Sequence, residues 1–235
     1  MAREKVFRFK LFDVLNDRTA MKVGTDGVLL GAWCDVNGAR RVLDVGTGCG
    51  LIALMVAQRN SESQVHGVDI DADAVDEALF NFKNSPWSER LSAEVADFNE
   101  WNDNNRYDLI VSNPPFFTNG VLPPSESRNC ARHTTMLTYE SLFRHCRDLL
   151  AADGLIAIVT PTDVEQAIRR CLVVNGLGLR RLTRVVPVVG AEVKRLLWEI
   201  VAGDADTVVD SLTIAGADRS YTSEYRELTG DFYIV

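Results

Sequence analysis

The chain lacks any apolar run approaching the roughly eighteen residues that a membrane span needs. Its first ten residues mix basic and aromatic side chains, with no apolar stretch long enough for a secretion signal. The expectation is a soluble cytoplasmic protein that does not enter a membrane. Cysteine is sparse: Cys34, Cys49, Cys130, Cys146 and Cys171 are odd in number, far apart and without C-x-x-C spacing. That pattern argues against a disulfide framework and against a zinc centre, so the five read as small buried residues and no metal is expected. Net positive charge is also missing. A formal charge of −8 argues against a protein that wraps nucleic acid by bulk electrostatics. No internal repeat and no linker marks a second domain. With 235 residues and 46% hydrophobic content, the chain can bury one large core. We expect a single domain over 1–235, with an N-terminal arm and helix at 1–39 and the core at 40–235, and nothing in the sequence sets an oligomeric state.

The charges are unevenly spread. Positions 61–108 hold twelve acidic and three basic residues, whereas the first ten hold Arg3, Lys5, Arg8 and Lys10 against Glu4 alone. Positions 161–200 lean basic through Arg169, Arg170, Arg180, Arg181, Arg184, Lys194 and Arg195. The ordinary reading of any such cluster is a solvated surface of mixed sign. Phe7-Arg8-Phe9-Lys10-Leu11-Phe12 alternates apolar and basic residues with a period of two, which suits a short strand or extended arm. Near an active site its cationic face would reach phosphates; elsewhere it is an edge strand protected by charge. Thr25 or Asp26 is placed to cap a helix through Val28, Leu29, Leu30 and Trp33.

From Arg40 onward short apolar runs alternate with helical periods, the pattern of repeated βα units on a parallel sheet with helices on both faces. Strands are expected at 41–45, 64–70, 91–96, 107–112 and 154–160, with helices after Gly50 and at 71–84, 138–150 and 162–175. Segments 179–189 and 193–201 read as an antiparallel pair, followed by short elements near 208–214 and 223–228. Residues 118–137 show no periodicity and form a long loop; loops of that length are usually functional lids or binding segments, or else disordered.

Four strand ends carry polar or glycine positions: Gly46, Asp69, Asp97 and Asn113. Ligands of open α/β sheets collect at such ends. Gly46-Thr47-Gly48-Cys49-Gly50 lies between a buried strand and a helix, where residues without a Cβ let the backbone approach a ligand, although such turns also occur with none. Asp69 ends the next strand, placed to accept from two ribose hydroxyls. The spacing is G-x-G-x-G rather than G-x-G-x-x-G, and Asp44 inside the strand would repel a pyrophosphate. A ligand with ammonium and sulfonium charges fits better, which points to S-adenosyl-L-methionine: Asp44 near its amino-acid end, Asp69 on the ribose, Asp97 on the adenine amino group. Asp97 also reads as an ordinary capping carboxylate. Asn113-Pro114-Pro115-Phe116-Phe117 is, by itself, equally a turn closing a buried strand. The prolines stiffen it, so the carboxamide oxygen of Asn113 and the carbonyl of Pro114 make two acceptors in fixed register for an –NH2 group, beside the flat face of Phe116.

Val42 to Gly50 together with Asn113-Pro114-Pro115-Phe116 resembles the class I S-adenosylmethionine-dependent methyltransferases that act on amino groups. Phe7-x-Phe9-Lys10-x-Phe12, Met21-Lys22-Val23-Gly24-Thr25-Asp26-Gly27-Val28-Leu29-Leu30-Gly31-Ala32-Trp33 and Ser85-Pro86-Trp87-Ser88-Glu89-Arg90 narrow the resemblance to the tRNA1(Val) (adenine(37)-N6)-methyltransferase family over nearly the whole chain. The resemblance implies a Rossmann-like class I fold, and methylation of the exocyclic N6 of adenine 37 in the anticodon loop of a valine tRNA. Asn113, Pro114 and Phe116 would be catalytic, and Lys22, Gly24 and Thr25 would join Asp44, Gly46, Gly48, Gly50, Asp69 and Asp97 at the cofactor. Pro115, Phe117, Arg8, Lys10, Arg128 and Arg132 would meet the tRNA. The Asn-Pro-Pro-Phe motif alone also suits a ribosomal RNA guanine-N2 methyltransferase or a protein glutamine-N5 methyltransferase.

Overall fold

A computed structural model describes residues 6–114 and 137–234. The core is one eight-stranded sheet, built from β3 (Arg41–Val45), β4 (Gln64–Asp69), β5 (Leu91–Val95), β6 (Tyr107–Ser112), β7 (Leu150–Pro161), β8 (Leu177–Val188), β9 (Arg195–Ala202) and β10 (Val208–Ala215). Their spatial order is β10-β8-β9-β7-β6-β3-β4-β5. Every neighbouring pair is parallel except those made by β9, which runs against both β7 and β8. The expected antiparallel pair is therefore β8 and β9, joined by a short connection, while β10 returns to the far edge parallel to β8.

Strand parity assigns the two layers of helices. Val42, Val65, Leu109, Val111, Ala157 and Leu197 face one side, packed with α1 (Thr25–Trp33), α2 (Leu51–Arg59), α3 (Ala72–Lys83) and α6 (Ser223–Thr229). Leu43, Val45, Ile110, Ile156, Leu196 and Trp198 face the other, packed with α4 (Tyr139–Leu149) and α5 (Glu165–Val174). α1 is buried from Gly27 to Trp33 and sits so close to α2 that a Cβ at Gly31 would lie 2.7 Å from the Met55 sulfur. Among the described residues no helix is long and apolar enough to cross a membrane.

The N-terminal arm departs from expectation. Instead of one extended segment through Phe12, β1 (Val6–Arg8) turns at Phe9–Phe12, where the Phe9 N–H bonds the Phe12 carbonyl at 2.9 Å, and returns as β2 (Asp13–Leu15). The cause is aromatic burial: Phe9 and Phe12 stack at 4.7 Å and both enter the core shared with α1 and α2. A flat strand would point them, three residues apart, to opposite faces. α1 also starts differently, because Thr25 is its first residue and Gly24 its uncapped N-terminal flank. Asp26 is drawn away from a capping role by Arg195 of β9, whose Nε lies 2.8 Å from its carboxylate.

Gly50 flanks α2 with φ +81°, and a Cβ there would lie 2.4 Å from the Phe82 ring. Left-handed strain and overpacking add, so Gly50→Ala is expected to cost about 2–4 kcal/mol, a fall in thermal midpoint of roughly 5–12 °C measured by calorimetry.

Candidate functional site

β5, β4, β3 and β6 lie side by side and parallel, so their C-terminal ends form one rim. Val45 is level with Ser112 and with Val68, and Asp69 is level with Val95. Gly46 follows β3, Asn113 follows β6, Asp69 is the last residue of β4 and Asp97 lies two residues past β5, so the structure brings all four sequence-marked positions to one edge of the sheet, where α/β folds hold ligands.

The glycine turn is built around Asp44. Its side chain is fully buried, and one carboxylate oxygen accepts from the Thr47 hydroxyl at 2.8 Å and from the Ala53 N–H at 3.2 Å. Ala53 is the third residue of α2, and Gly50 has no side chain with which to cap it. Asp44 thus caps the helix from the strand beneath, a service worth about 1 kcal/mol. Its second oxygen, Oδ1, is buried with no hydrogen-bond partner among the described residues. Gly46 and Gly48 have φ of +71° and +56° with open space where a Cβ would stand. Gly48 donates its N–H to Asp69 at 2.8 Å, and Asp71, the cap of α3, donates to the other Asp69 oxygen at 3.0 Å.

Burial pushes the Asp44 carboxyl up to about 7, with the nearby Asp69 charge adding to the shift. Asp69 is raised as well, again chiefly by burial. Two carboxylates in a place that penalises their charge, with open space over the glycines, suit a cationic ligand and repel a phosphate. Ile70 and Val95, about half exposed at the same rim, supply apolar surface beside Asp69. Asp97 accepts at Oδ1 from the Asn99 N–H and from its side-chain amide, at 2.9 and 3.0 Å, so the capping reading of this residue holds for that oxygen.

At β6, Pro114 is buried and the Asn113 carboxamide is held at one end only. Its Nδ2 donates to the Met21 sulfur at 3.3 Å, while Oδ1 is buried and has no partner among the described residues. Pro115, Phe116, Phe117, Arg128 and Arg132 lie outside the described residues.

Met21 belongs to the segment between β2 and α1, and α3 fixes that segment. Asn81 accepts from the Leu15 N–H and donates to the Leu15 and Cys49 carbonyls at 2.8–2.9 Å, tying arm and glycine turn to one side chain. Glu77, fully buried one turn earlier, accepts from the N–H groups of Asp17, Arg18 and Thr19. Burial pushes its carboxyl up, but these three donors outweigh that and hold it below the usual range. Asn16 donates to the Cys49 sulfur at 3.0 Å and to the Met21 carbonyl at 3.2 Å. Lys22 is turned back onto this segment, donating to the Asp17 and Thr19 carbonyls at 3.0 and 2.7 Å. Gly24 and Thr25 are exposed at the start of α1. Sequence reading missed Met21, Asn16, Glu77 and Asn81. One signal was available for the last two: with Ala74 and Ala78 they form the i, i+3, i+4, i+7 stripe that α3 buries, where a polar residue demands a partner.

The basic candidates divide. Arg8 is exposed on β1, and Lys10 donates its ammonium to the Gly230 carbonyl at the end of α6; among the described residues no hydrogen bond links either to the rim. The basic lean of 161–200 is largely paired: Arg180 with Asp35, Arg181 with Asp210, Arg195 with Asp26, and Arg169 and Arg184 both with Glu165. No cluster among the described residues has the makings of a metal centre.

Fold and rim together define a methyltransferase, and residues 22–172 match the methyltransferase small domain family. A crystal structure described as a predicted O-methyltransferase from Agrobacterium tumefaciens superposes with a TM-score of 0.70 at 17% identity, covering 88% of this chain and 96% of that one. The CcbJ methyltransferase from Streptomyces caelestis superposes at 0.58 and 14% identity over 77% and 90%; both speak for the fold alone. More narrowly, the chain belongs to the tRNA1(Val) (adenine(37)-N6)-methyltransferase family. The protein so named from Phocaeicola vulgatus is 43% identical over 97% of each chain. Its counterparts from Bacteroides thetaiotaomicron and Erwinia tasmaniensis are 40% identical over 97% of each and 42% identical over 99% of this chain and 96% of the other.

A protonated Asp44 must release its proton to face a cation. Affinity for a sulfonium methyl donor is therefore expected to rise by up to about tenfold between about pH 6 and about pH 7.5, with proton release at the lower pH. Titration calorimetry at the two pH values checks this, and Asp44→Asn should flatten the dependence.

Proposed function

We propose that the chain transfers a methyl group from S-adenosyl-L-methionine to the N6 amino group of adenine 37 in the anticodon loop of tRNA1(Val). The observation that carries the proposal is the Asn113 Oδ1: a buried acceptor without a partner among the described residues, just past the strand beside β3 and its glycine turn. Leaving such a group unpaired costs about 1–3 kcal/mol, a cost that an incoming N–H donor removes.

The orphaned Asp44 oxygen and the open glycines fit the cofactor. Asp44 would face its ammonium end, Asp69 its ribose hydroxyls, and Asp97 with Ile70 its adenine, while Lys22, Gly24 and Thr25 border the cleft through the segment that reaches Asn113. When bound, S-adenosyl-L-methionine supplies a methyl group on a positively charged sulfur. The chain's own work is on the acceptor. An adenine amino nitrogen is a poor nucleophile because its lone pair is conjugated into the ring. Donating both hydrogens, to the Asn113 carboxamide oxygen and the Pro114 carbonyl, favours a pyramidal nitrogen with its lone pair aimed across the rim. Positioning then supplies most of the rate. Both acceptors are neutral, so the proton shed by the nitrogen passes to solvent. Phe116 stacks on the base, and an unpaired anticodon-loop purine costs little to swing out. Pro115, Phe117, Arg8, Arg128 and Arg132 are the candidates for holding the RNA, which sets the reaction in the cytoplasm. The names of the relatives weigh against guanine-N2 and glutamine-N5 as acceptors.

The test is incubation with labelled cofactor and total tRNA, digestion to nucleosides, and a search for N6-methyladenosine. Methylation of a release factor with none on tRNA would overturn the proposal. In the same assay Asn113→Ala is expected to lower kcat by about 100-fold or more while cofactor affinity stays within a few fold.

A further inference from the structure

We propose that Met21 is a positioning residue for the transfer: its thioether sets which end of the Asn113 carboxamide faces the amino group to be methylated. The inference rests on the acceptor role given to Asn113 above. A carboxamide has two ends of nearly the same shape, one donating and one accepting, and only the accepting end can receive an amino group's hydrogens. Something must break that symmetry. Among the described residues neither rim carboxylate bonds this carboxamide: the Asp44 and Asp69 hydrogen bonds go to the glycine turn, α2 and Asp71, and the second Asp44 oxygen has no partner. The Met21 sulfur can, because a thioether only accepts. With Nδ2 toward the sulfur there is a hydrogen bond at 3.3 Å; with the amide turned over, two acceptors would meet there. The unpartnered Oδ1 is what this orientation leaves for the substrate.

Met21 is itself well placed to hold that orientation although its side chain is 46% exposed. Its carbonyl accepts from Asn16, which also holds Cys49 of the glycine turn, and the next residue, Lys22, ties the segment to its own carbonyls. The orienting sulfur is therefore anchored to the turn beside which the methyl donor is proposed to sit.

The experiment is steady-state kinetics on tRNA with a double-substitution cycle. Wild-type protein must form N6-methyladenosine; if it does not, the functional proposal fails and this one falls with it. If it does, Met21→Leu, which keeps the bulk and removes the acceptor, is expected to lower kcat by about tenfold with both KM values within about twofold. Met21→Gln, whose amide can accept but can also turn over and donate, should recover only part of that loss. In an Asn113→Asp background the side chain presents an acceptor whichever way it is turned, so Met21→Leu should there have little further effect. Equal losses in both backgrounds, a loss confined to KM, or a kcat for Met21→Leu equal to wild type would each overturn the inference. Should Asn113→Asp leave no measurable rate, the split for Met21→Leu decides alone: a loss in kcat with both KM values kept supports it, and a loss confined to KM or no loss refutes it.

Discussion

The buried carboxylate of Asp44 joins strand, turn and helix into one unit. β3 is central in the sheet, paired with β4 on one side and β6 on the other, and Asp44 sits opposite Gly67 and Val111 in those neighbours. From there it reaches up to the Thr47 hydroxyl and the Ala53 N–H, which fixes the path of the glycine turn and the start of α2 together. Gly50 makes this necessary. The φ the chain needs there and the approach of Phe82 both demand glycine, which forfeits a side-chain cap. A carboxylate from the strand below supplies the cap instead. It does so at the cost of burying a charge, and the elevated carboxyl pKa is the measure of that cost. A cation bound beside it, as proposed, would offset the same cost, so that one residue would serve both fold stability and ligand preference.

Much of this was legible because it is local in sequence. The alternation of strands and helices, the glycine turn, and the four strand ends each depend on residues within a few positions of one another. What escaped depends on partners that arrive from far along the chain. Glu77 and Asn81 meet residues 58 to 66 positions away, and Arg195 meets Asp26 across 169. Phe9 and Phe12 could be counted as apolar faces of a strand, but only the cavity offered by α1 and α2 turns that strand into a hairpin. On paper the amine of Lys10 invites a phosphate, and Lys22 is a cofactor contact that the family resemblance implies. In the fold, nearby backbone carbonyls claim both.

The basic run at 161–200 makes the same point about charge. Five of its arginines are matched one to one or shared with acidic residues, three of them from distant segments, so much of the local excess of positive sequence is offset. Among the described residues, formal positive charge remains around Glu165, where Arg169 and Arg184 share one carboxylate, and at exposed Arg170. That is a narrow foothold for a polyanion on a protein of net charge −8. In the proposed reaction the extruded purine and its stack would then carry much of the recognition, beside a few phosphate contacts.

The neutrality of the acceptor follows from the same electrostatics. The rim already holds Asp44 and Asp69, both pushed toward the protonated form by burial and, for Asp44, by the other's charge. A third carboxylate on β6 would raise all three further and compete for whatever cation the site attracts. A carboxamide offers the same oxygen without the charge, but it brings a second end that donates. Choosing asparagine at the strand end therefore creates a problem of orientation that aspartate would not have, and the thioether of Met21 is the neighbour whose chemistry answers it.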